Sequence, residues 1–506
     1  MPLIHDLTTG KKFAAEHGVT LLKALLAEDI YVDNACNGRG TCGKCKVYIE
    51  GVGEVLSCEY KVNSDITVKT GKKPNNDMNI LSKVYVPDFT REYRKGYGII
   101  CDIGTTTVAV GLVNLATGEI MVDAAAMNEQ RVFGQDVLTR ITYEIENGEE
   151  GIEVLRNTVM DCIKKCVKKC CTDAGVKEAE IDDYVIAANC TMTHMALGVD
   201  ARSIGVAPYK PVFTEGQERK ARSLGLPGAQ EASVYFIPQV SGYIGGDIVA
   251  GAYCCEMADK KGISLFIDIG TNGEIVLSNK GSMVSCSCAA GPALEGMNIE
   301  CGMPALAGAI EEVCADEGDI KTKAIGNTDA VGICGSGILD TLSVLIKEEI
   351  IKKTGAFKKP EECGLYEKRV IKDDSGVRLM LTDKVYMSQK DVRQVQLAKG
   401  AILSGIRALL NREGVKPEDI DEVLIAGQFG AHLREEALIV TGIIPAECAG
   451  KIRYVGNTSK TGAYMALMSE VVRSNMELLA KKISYFELAE VENYEMLLVS
   501  SMSFKD

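Results

Sequence analysis

Residues 97–108 read YGIICDIGTTTV, and residues 264–275 read SLFIDIGTNGEI. In each stretch an apolar, strand-like run ends in Asp-Ile-Gly-Thr, and a small polar turn leads into a second strand. Glycine in such a turn lets backbone N–H groups approach phosphate oxygens, hydroxyls add donors, and an aspartate at the strand end can hold a magnesium-bound water. One copy would be weak evidence, but two copies about 166 residues apart form an internal repeat. The repeat predicts two phosphate loops for one polyphosphate and its metal ion.

Four further glycine-rich segments accompany the repeat, and each could be a tight structural turn if it stood alone. They are GYIGGDIVAGA (242–252), GICGSG (332–337), LIAGQFG (424–430) and YVGNTSKTGA (454–463). In this order, together with the repeat, they resemble the superfamily of acetate and sugar kinases, heat-shock chaperones of the seventy-kilodalton class, and actin. The resemblance implies two ribonuclease-H-like lobes over residues 97–506, with ATP in the cleft between them.

The same resemblance implies roles for individual residues. The first segment looks like the first connecting helix, where Asp247 takes the place of the acidic residue that orients or deprotonates the attacking water. Residues 332–337 would lie against a phosphate or the ribose, and residues 424–430 look like the adenosine motif. Residues 454–463 look like the second connecting helix, with glycines that permit close helix contact. Asp102 and Asp268 would organise the magnesium ion and its waters. The implied ATP-binding residues are Gly104, Thr105, Thr106, Thr107, Gly270, Thr271, Asn272, Gly273, Gly335, Ser336, Gly337, Gly427, Gln428, Phe429 and Gly430.

The composition limits the classes of function. The chain has 506 residues, with 56 Lys or Arg against 70 Asp or Glu, and its formal charge of −14 would not neutralise a nucleic-acid backbone. No apolar stretch approaches the ~18 residues needed to span a bilayer, and the N-terminal MPLIHD lacks the features of a signal peptide. We therefore expect a cytoplasmic protein that has neither nucleic acid nor a membrane as a partner.

A second chemical motif lies near the N-terminus. Residues 36–45 read CNGRGTCGKC, and their glycines let the loop fold back and point backbone N–H groups at sulfur. Three thiolates from one tight loop and one from a later segment are how a 2Fe-2S cluster is held. Zinc, which usually takes two separated C-x2-C pairs, and plain thiols are the alternatives. The predicted metal ligands are Cys36, Cys42, Cys45 and Cys58.

The cysteine spacing resembles that of plant- and vertebrate-type ferredoxins, which implies a β-grasp 2Fe-2S domain over residues 1–70. Residues 71–96 are polar, contain two prolines and show no sustained period, which is typical of a linker. The predicted fold is multidomain, of the α+β and α/β classes: the ferredoxin-like domain precedes a two-lobed, ribonuclease-H-like (actin-like) ATPase. Residues 97–263 would form the first lobe with phosphate loop 1 and connecting helix 1, and residues 264–506 the second lobe with phosphate loop 2 and the adenosine motif.

The remaining cysteines and the histidines give weaker signals. Cys162, Cys166 and Cys170 recur one helical turn apart among apolar residues, a spacing more typical of a core stripe than of a cofactor site. The pairs at 254/255 and 286/288 could ligate a second cluster, but small buried thiols are the simpler interpretation. We expect His194 to have a structural role.

As a whole, a CNGRGTCGKC module followed by the DIGTTT and DIGTNGE lobes resembles the reductive activators of corrinoid proteins. These return an accidentally oxidised cob(II)amide to the cob(I)amide that methyl transfer requires in anaerobic metabolism. The resemblance implies a one-electron transfer, driven by ATP with Mg²⁺, from a low-potential ferredoxin or flavodoxin-like donor through the 2Fe-2S cluster. Because the chain has no D-x-H-x-x-G corrinoid signature, the corrinoid should belong to a partner protein of a methyltransferase system. A homodimer is compatible with the resemblance.

One departure and two rival functions accompany this interpretation. Longer members of the family carry an additional segment between the ferredoxin module and the lobes, whereas about 26 residues intervene here, so their partner choice and dimer geometry do not carry over. A small-molecule kinase would use the same lobes but has no need of a 2Fe-2S module. An activator of a radical dehydratase would also couple ATP to electron transfer, but that group resembles a single ATPase domain with a bridging 4Fe-4S cluster. An ATP-dependent electron-transfer activator of another low-potential enzyme is a further alternative.

The cysteine motif can be tested directly. We expect the anaerobically purified protein to be brown, with about two irons and two sulfides per chain. Cys42→Ala should abolish the ferredoxin-like visible spectrum and leave ATP binding nearly intact, because the predicted linker separates the two modules. Iron and sulfide quantitation, a visible spectrum and a nucleotide titration check these statements. A colourless wild-type protein that contains zinc would contradict them.

Overall fold

The computed structural model describes residues 1–28, 30, 32, 38, 40, 44–71, 86–374, 376–427 and 433–504. Contacts within the chain divide it into two units, one of Met1–Met78 with Gln130–Gln135 and one of Asn79–Glu129 with Asp136–Asp506. None of the helices in the described ranges has both the length and the apolar character to cross a membrane.

The described part of the N-terminal unit is a five-stranded sheet with a helix packed on it. Its elements are β1 (Leu3–Asp6), β2 (Lys12–Ala14), α1 (Leu21–Ala27), β3 (Lys46–Ile49), β4 (Gly53–Leu56) and β5 (Ile66–Lys69). The strand order is β2-β1-β5-β3-β4, and β1 and β5 are parallel. Thr20 caps α1 by accepting a hydrogen bond from Lys23 N, and the helix buries Leu21, Leu22 and Leu25 in the core. This is the predicted ferredoxin-like, β-grasp arrangement.

The first half of the larger unit is built on a six-stranded sheet of order β10-β11-β9-β6-β7-β8. Its strands are β6 (Tyr97–Ile103), β7 (Thr107–Asn114), β8 (Glu119–Met127), β9 (Ile181–Ala188), β10 (Gln217–Lys220) and β11 (Ser233–Phe236), and its helices are α2 (Val137–Ala174), α3 (Cys190–Leu197), α4 (Arg202–Gly205) and α5 (Gly246–Cys254). Helix α2 packs on β7 and β8. Its buried face includes Cys162, Cys166 and Cys170, so the predicted core stripe is confirmed.

The second half contains another six-stranded sheet, of order β22-β21-β12-β13-β14-β23, and two three-stranded sheets, β16-β15-β17 and β18-β19-β20. The strands are β12 (Ile263–Ile269), β13 (Gly273–Asn279), β14 (Ser282–Cys288), β15 (Ala309–Asp316), β16 (Asp319–Ala324), β17 (Gly332–Ile333), β18 (Val370–Asp373), β19 (Gly376–Met380), β20 (Tyr386–Ser388), β21 (Glu422–Ala426), β22 (Ile452–Gly456) and β23 (Ile483–Tyr485). The helices are α6 (Gly335–Lys347), α7 (Gln389–Glu413), α8 (Glu435–Val440), α9 (Thr458–Met468), α10 (Glu470–Lys482) and α11 (Tyr494–Met502).

The two six-stranded sheets share one topology. In each, the strand that ends in Asp-Ile-Gly-Thr is antiparallel to the next strand and parallel to a later one: β6 lies between β7 and β9, and β12 lies between β13 and β21. The pattern β11-β9-β6-β7-β8 therefore recurs as β22-β21-β12-β13-β14. The repeat in the sequence is thus a repeat of the fold, and the predicted pair of ribonuclease-H-like lobes is confirmed.

Helices α5 and α9 meet at small residues. A Cβ added to Gly462 of α9 would lie 2.7 Å from Ala250 Cα of α5, and a Cβ added to Gly251 of α5 would lie 2.8 Å from Thr458 Oγ1 at the start of α9. Both distances are too short for real atoms, so the two helices approach each other only because these residues are glycine. This is the close contact expected of the two connecting helices.

Residues 86–96, the described end of the segment predicted as a linker, form no helix or strand. They pack within the larger unit. The Phe89 ring lies edge-on to Tyr464 at a centroid distance of 6.0 Å, and Glu92 N donates to Met468 O (2.7 Å). Residues 72–85 lie outside the described residues, and the domain boundaries stay a prediction.

A buried carboxyl in α2 makes the stability of the fold depend on pH. Glu144 is fully buried, its Oε2 accepts a hydrogen bond from Ala201 N (3.0 Å), and its Oε1 has no partner in the described part of the chain. Burial raises the pKa of Glu144 to about 7, above the ~4.3 of an unfolded glutamate. The folded state therefore binds this proton more tightly, and stability is lost as the pH rises from the unfolded value through about 7.

We expect Glu144→Gln to match the wild type in thermal stability near pH 5 and to exceed it by a few degrees at pH 8, since glutamine carries no charge into the interior. Thermal unfolding curves over this pH range measure the difference. Glu146→Gln, an exposed carboxyl on the same helix, is the matched control and should track the wild type. A pH-independent difference between Glu144→Gln and the wild type would contradict the prediction.

Candidate functional site

The two predicted phosphate loops are both tight hairpin turns, and the first is one residue longer, because residues 104–107 lie between the paired Ile103 and Val108 and residues 270–272 between the paired Ile269 and Gly273. Gly104 N donates to Thr107 O (2.8 Å) in the first loop, and Gly270 N donates to Asn272 O (2.9 Å) in the second. A Cβ added to Gly104 would lie 2.8 Å from Thr107 O, so the first turn needs glycine there. Thr107 and Gly273 begin the strands β7 and β13 that follow. Each loop is therefore a tight hairpin at the end of a buried strand.

The two loops meet at their hydroxyl groups. Thr106 Oγ1 and Thr271 Oγ1 are 3.4 Å apart. The carboxylate of Glu295 joins them: Thr106 Oγ1 donates to its Oε2 (3.1 Å), and Thr271 Oγ1 donates to its Oε1 (2.8 Å). The structure thus brings the two loops together, with an acidic residue that the sequence analysis missed. Glu295 lies in an apolar stretch without a motif, so no local signal could have found it.

The three predicted carboxylates share one space between the lobes. Burial raises the pKa of Asp102 to about 6, against the lowering effect of a hydrogen bond from Asn457 and the charge of Lys460. Burial raises the pKa of Asp247 to about 7 and that of Asp268 to about 8, and in both cases the charge of Asp102 adds to the shift. Carboxylates that repel one another in this way are stabilised by a divalent cation.

A fourth carboxylate, Glu274, joins this group and was not predicted. It stands opposite Asp268 in the register of β12 and β13, whereas Ala109 stands opposite Asp102 in the first lobe. Burial, followed by the charges of Asp247 and Asp268, raises the pKa of Glu274 well above its ordinary value. Among the described residues no three Asp, Glu, His or Cys side chains have the spacing of direct metal ligands.

Asp247 lies in the first turn of α5, where the helix dipole favours a negative charge. Ile248 N donates to Asp247 Oδ1 (2.9 Å), which holds the carboxylate at the helix start. The preceding Gly245 lies against the turn after β9, because an added Cβ would come within 2.5 Å of Asn189 Cα. The glycines of this segment therefore allow the helix start to approach the strand ends.

Asn457 links the second connecting helix to the first lobe. It caps α9 by accepting a hydrogen bond from Lys460 N (2.8 Å), and its Nδ2 donates to Asp102 Oδ2 (2.8 Å). Lys460 is almost fully buried and forms an ion pair with Asp123. Neither side chain was predicted to have a role, because the motif in this segment indicates only a helix with glycines for close contact.

A guanidinium and an amide group donate hydrogen bonds to Thr105 of the first phosphate loop. Arg140 of α2 is buried, and its Nη2 donates to Thr105 O (2.5 Å). Asn189 Nδ2 donates to Thr105 Oγ1 (3.1 Å). Burial lowers the pKa of Arg140 to about 9, so the guanidinium remains positive at neutral pH. Neither residue was predicted, because both come from elements outside the loop motif.

Of the other predicted ATP-binding residues that the structure describes, those at 335–337 contact β15 and Gly427 lies beside the carboxylates. Gly335, Ser336 and Gly337 begin α6 and are buried, and the Ser336 hydroxyl donates to Glu311 O (2.8 Å). Their described contacts are with β15 rather than with the phosphate loops, so a role at the nucleotide stays a prediction. A Cβ added to Gly427 would lie 2.7 Å from Asp268 Oδ1, which places the start of the adenosine motif beside the carboxylates. Gln428, Phe429 and Gly430 lie outside the described residues.

The described part of the cysteine motif fits a cluster site in the N-terminal unit. Cys45 comes directly before β3 and Cys58 soon after β4, both are buried, and Ser57 N donates to Cys45 O (2.8 Å). Gly38 has φ +79°, and its added Cβ would lie 3.8 Å from Cys58 Cβ. The loop thus approaches the fourth cysteine at a residue without a side chain. Cys36 and Cys42 lie outside the described residues.

His194 and the remaining cysteine pairs belong to the core. His194 Nδ1 lies 2.8 Å from Cys190 O, its Nε2 accepts a hydrogen bond from Val212 N (3.1 Å), and its ring stacks on Phe213. Cys286 and Cys288 are buried, and a Cβ added to Gly405 of α7 would lie 2.2 Å from Cys288 Sγ. The pair at 254/255 is also buried. The structural interpretation of these residues is therefore confirmed.

Comparison with protein families covers nearly the whole chain. Residues 262–506 match the family described as the C-terminal domain of RACo, the ASKHA domain, and residues 97–260 match the RACo middle region. Residues 7–73 match the 2Fe-2S iron-sulfur cluster binding domain. The last match favours the 2Fe-2S interpretation of the cysteine motif over zinc.

Individual relatives agree with these matches. The corrinoid activation enzyme RamQ of Eubacterium limosum is 32% identical over 427 residues, which cover 81% of this chain and 71% of that protein. The [Co(II) methylated amine-specific corrinoid protein] reductase of Methanosarcina barkeri is 24% identical over 448 residues, covering 81% and 77%. A solved structure of a reductive activator for corrinoid, iron-sulfur protein is similar with a TM-score of 0.74 at 28% identity, over 100% of this chain and 98% of the other.

The position of Asp247 leads to a kinetic prediction. If Asp247 orients or deprotonates the attacking water, Asp247→Asn should slow ATP hydrolysis by ~10²–10⁴-fold while the protein still binds ATP. Steady-state phosphate release and a nucleotide titration measure the two effects. Asp259→Asn, an exposed carboxyl just beyond the end of α5, is the control. Unchanged hydrolysis in Asp247→Asn would remove this residue from the mechanism.

Proposed function

Because this chain belongs to the family of corrinoid activation enzymes, we propose that it catalyses the ATP-dependent reduction of a partner protein's cob(II)amide to cob(I)amide. Its 2Fe-2S and ASKHA domains make it an iron–sulfur redox enzyme that uses ATP. The observation that carries the proposal is the presence of both parts on one chain: a cysteine loop for electron transfer, and two phosphate loops that meet at Thr106 and Thr271.

The redox step transfers one electron. A low-potential ferredoxin or flavodoxin-like donor loses the electron, and cob(II)amide gains it to become cob(I)amide. Cys36, Cys42, Cys45 and Cys58 would hold the 2Fe-2S cluster, which supplies a one-electron relay. No corrinoid-binding signature occurs in the sequence, so the corrinoid is carried by the partner.

ATP is needed because the transfer is uphill. Plant-type 2Fe-2S clusters have reduction potentials of about −400 mV. Reducing an acceptor about 100 mV more negative costs about 2.3 kcal/mol per electron. Binding or hydrolysis of ATP can offset this cost if it changes the environment of the acceptor in the complex.

The carboxylates and hydroxyls would divide the work on ATP. Asp102 and Asp268 would organise the waters of a magnesium ion, and Asp247 would position or deprotonate the attacking water. The hydroxyls of Thr106 and Thr271 would donate to phosphate oxygens. Since these groups come from both lobes, ATP binds the two lobes at once and favours their closed arrangement.

Lobe closure supplies the coupling. A ligand shifts a conformational equilibrium only by its different affinity for the two states, and the effect of ATP on partner binding equals the effect of the partner on ATP binding. A small-molecule kinase would share the closure but would leave the 2Fe-2S domain without a role, so we propose the activator function.

The coupling can be measured with a cob(II)amide-loaded partner and a low-potential donor. We expect the cob(I)amide yield, followed by absorbance, to rise when ATP is added, and the partner to stimulate ATP hydrolysis more in its cob(II)amide form than in its cob(I)amide form. Asp247→Asn tests the contribution of ATP hydrolysis, and Cys42→Ala tests the contribution of electron transfer through the 2Fe-2S cluster. Equal cob(I)amide yields with and without ATP, together with a rate of ATP hydrolysis that the partner does not change, would show that the two activities are not coupled.

A further inference from the structure

Glu295 occupies the point where the two phosphate loops meet. The hydroxyls of Thr106 and Thr271 each donate their only proton to the carboxylate of Glu295. A hydroxyl that donates to a carboxylate cannot donate the same proton to a phosphate oxygen. The carboxylate and a phosphate group are therefore alternative acceptors for the same two donors.

Charge makes the alternatives exclusive. An ionised carboxylate and a phosphate group repel each other, and in a half-buried site this repulsion is poorly screened. Burial raises the pKa of Glu295, and the hydrogen bonds from Thr271 and Thr106 offset part of this rise. Both hydroxyls thus stabilise the ionised carboxylate, and this stabilisation is lost when they turn to a phosphate.

The segment that carries Glu295 has the means to shift. Glu295 ends the short turn Pro292–Glu295, and this turn lies between Gly291 (φ 72°) and Gly296 (φ 81°). Residues 289–293 line one wall of a cavity of about 280 Å³, and the other wall includes Leu397 and Ala401 of α7 and Leu498 of α11. The turn is therefore bounded by two permissive backbone positions and borders on free volume.

We propose that Glu295 is a carboxylate latch: it holds the two phosphate loops together through Thr106 and Thr271, and a phosphate of ATP displaces it. This inference rests on the proposed function, because it takes ATP as the ligand of the two loops. The latch lowers the affinity for ATP and leaves the affinity for adenosine unaffected, since adenosine has no phosphate to compete with it.

The test is a nucleotide titration of the full chain, purified anaerobically, in the presence of Mg²⁺. Glu295→Ala frees both hydroxyls and should bind ATP at least about tenfold more tightly, because each freed hydroxyl can then donate a hydrogen bond to a charged phosphate oxygen. Its affinity for adenosine should equal that of the wild type. Glu295→Gln, which removes the charge and still accepts a hydrogen bond, should show a smaller gain, and it keeps the test open if Glu295→Ala does not fold.

Two controls separate the latch from a packing or charge effect. Glu367→Ala removes an exposed carboxyl from the same lobe and should leave ATP affinity unchanged. Adding Thr106→Val to Glu295→Ala should cancel most of the gain, because the freed donor is then absent.

Two results would overturn the latch: ATP affinity that is unchanged or reduced in both Glu295 variants, or an equal gain for adenosine and ATP. The titration contains neither a corrinoid protein nor a reductant. A failure of ATP-driven corrinoid reduction would therefore leave the latch result standing, and the reverse also holds.

Discussion

Mutual repulsion between carboxylates is the constraint that the larger unit is built to withstand. Asp102 and Asp268 end the central strands of two sheets of the same topology. Burial raises the pKa of Asp102 to about 6, and burial together with the charges of Asp247 and Asp102 raises the pKa of Asp268 to about 8. Holding such groups in place requires rigid surroundings. Buried strands on both sides of β6 and β12 supply that rigidity, as does the contact of α5 with α9 at Gly251 and Gly462. A cation and a polyphosphate would convert this repulsion into binding free energy.

Both loops are tight hairpin turns that a glycine N–H closes, but their electrostatic surroundings differ. The first is backed by N–H donors: the buried guanidinium of Arg140, the amide of Asn189 and, beside Asp102, the amide of Asn457. The second is accompanied by the carboxylate of Glu274 across the hairpin, while Glu295 accepts a hydrogen bond from a hydroxyl of each loop. The N–H donors thus lie beside the first loop, and an additional carboxylate lies beside the second. In the proposed function, this asymmetry would orient one phosphate chain and its cation between the two turns.

Cysteine serves two unrelated purposes in this chain. In the larger unit it fills the core as a small apolar side chain, as Cys162, Cys166 and Cys170 do under the first sheet and as Cys286 and Cys288 do against α7. In the N-terminal unit the spacing of residues 36–45 and Cys58 predicts the ligand set of a 2Fe-2S cluster. What separates the uses is the backbone: regular helices and strands in one case, and a glycine-rich loop that approaches Cys58 at Gly38 in the other.

The sequence by itself determined the features whose physical cause is local. A strand followed by Asp-Ile-Gly-Thr, a cysteine loop with glycines, and glycines on two helices each specify their geometry within about ten residues, so the repeat, the ferredoxin-like sheet and the close helix pair were predictable. Only the tertiary structure decided which side chains complete the site. Glu295 lies 189 residues from Thr106, and Asn457 lies 355 residues from Asp102. Contacts over such separations are set by how two sheets and their helices pack, and no local pattern records them.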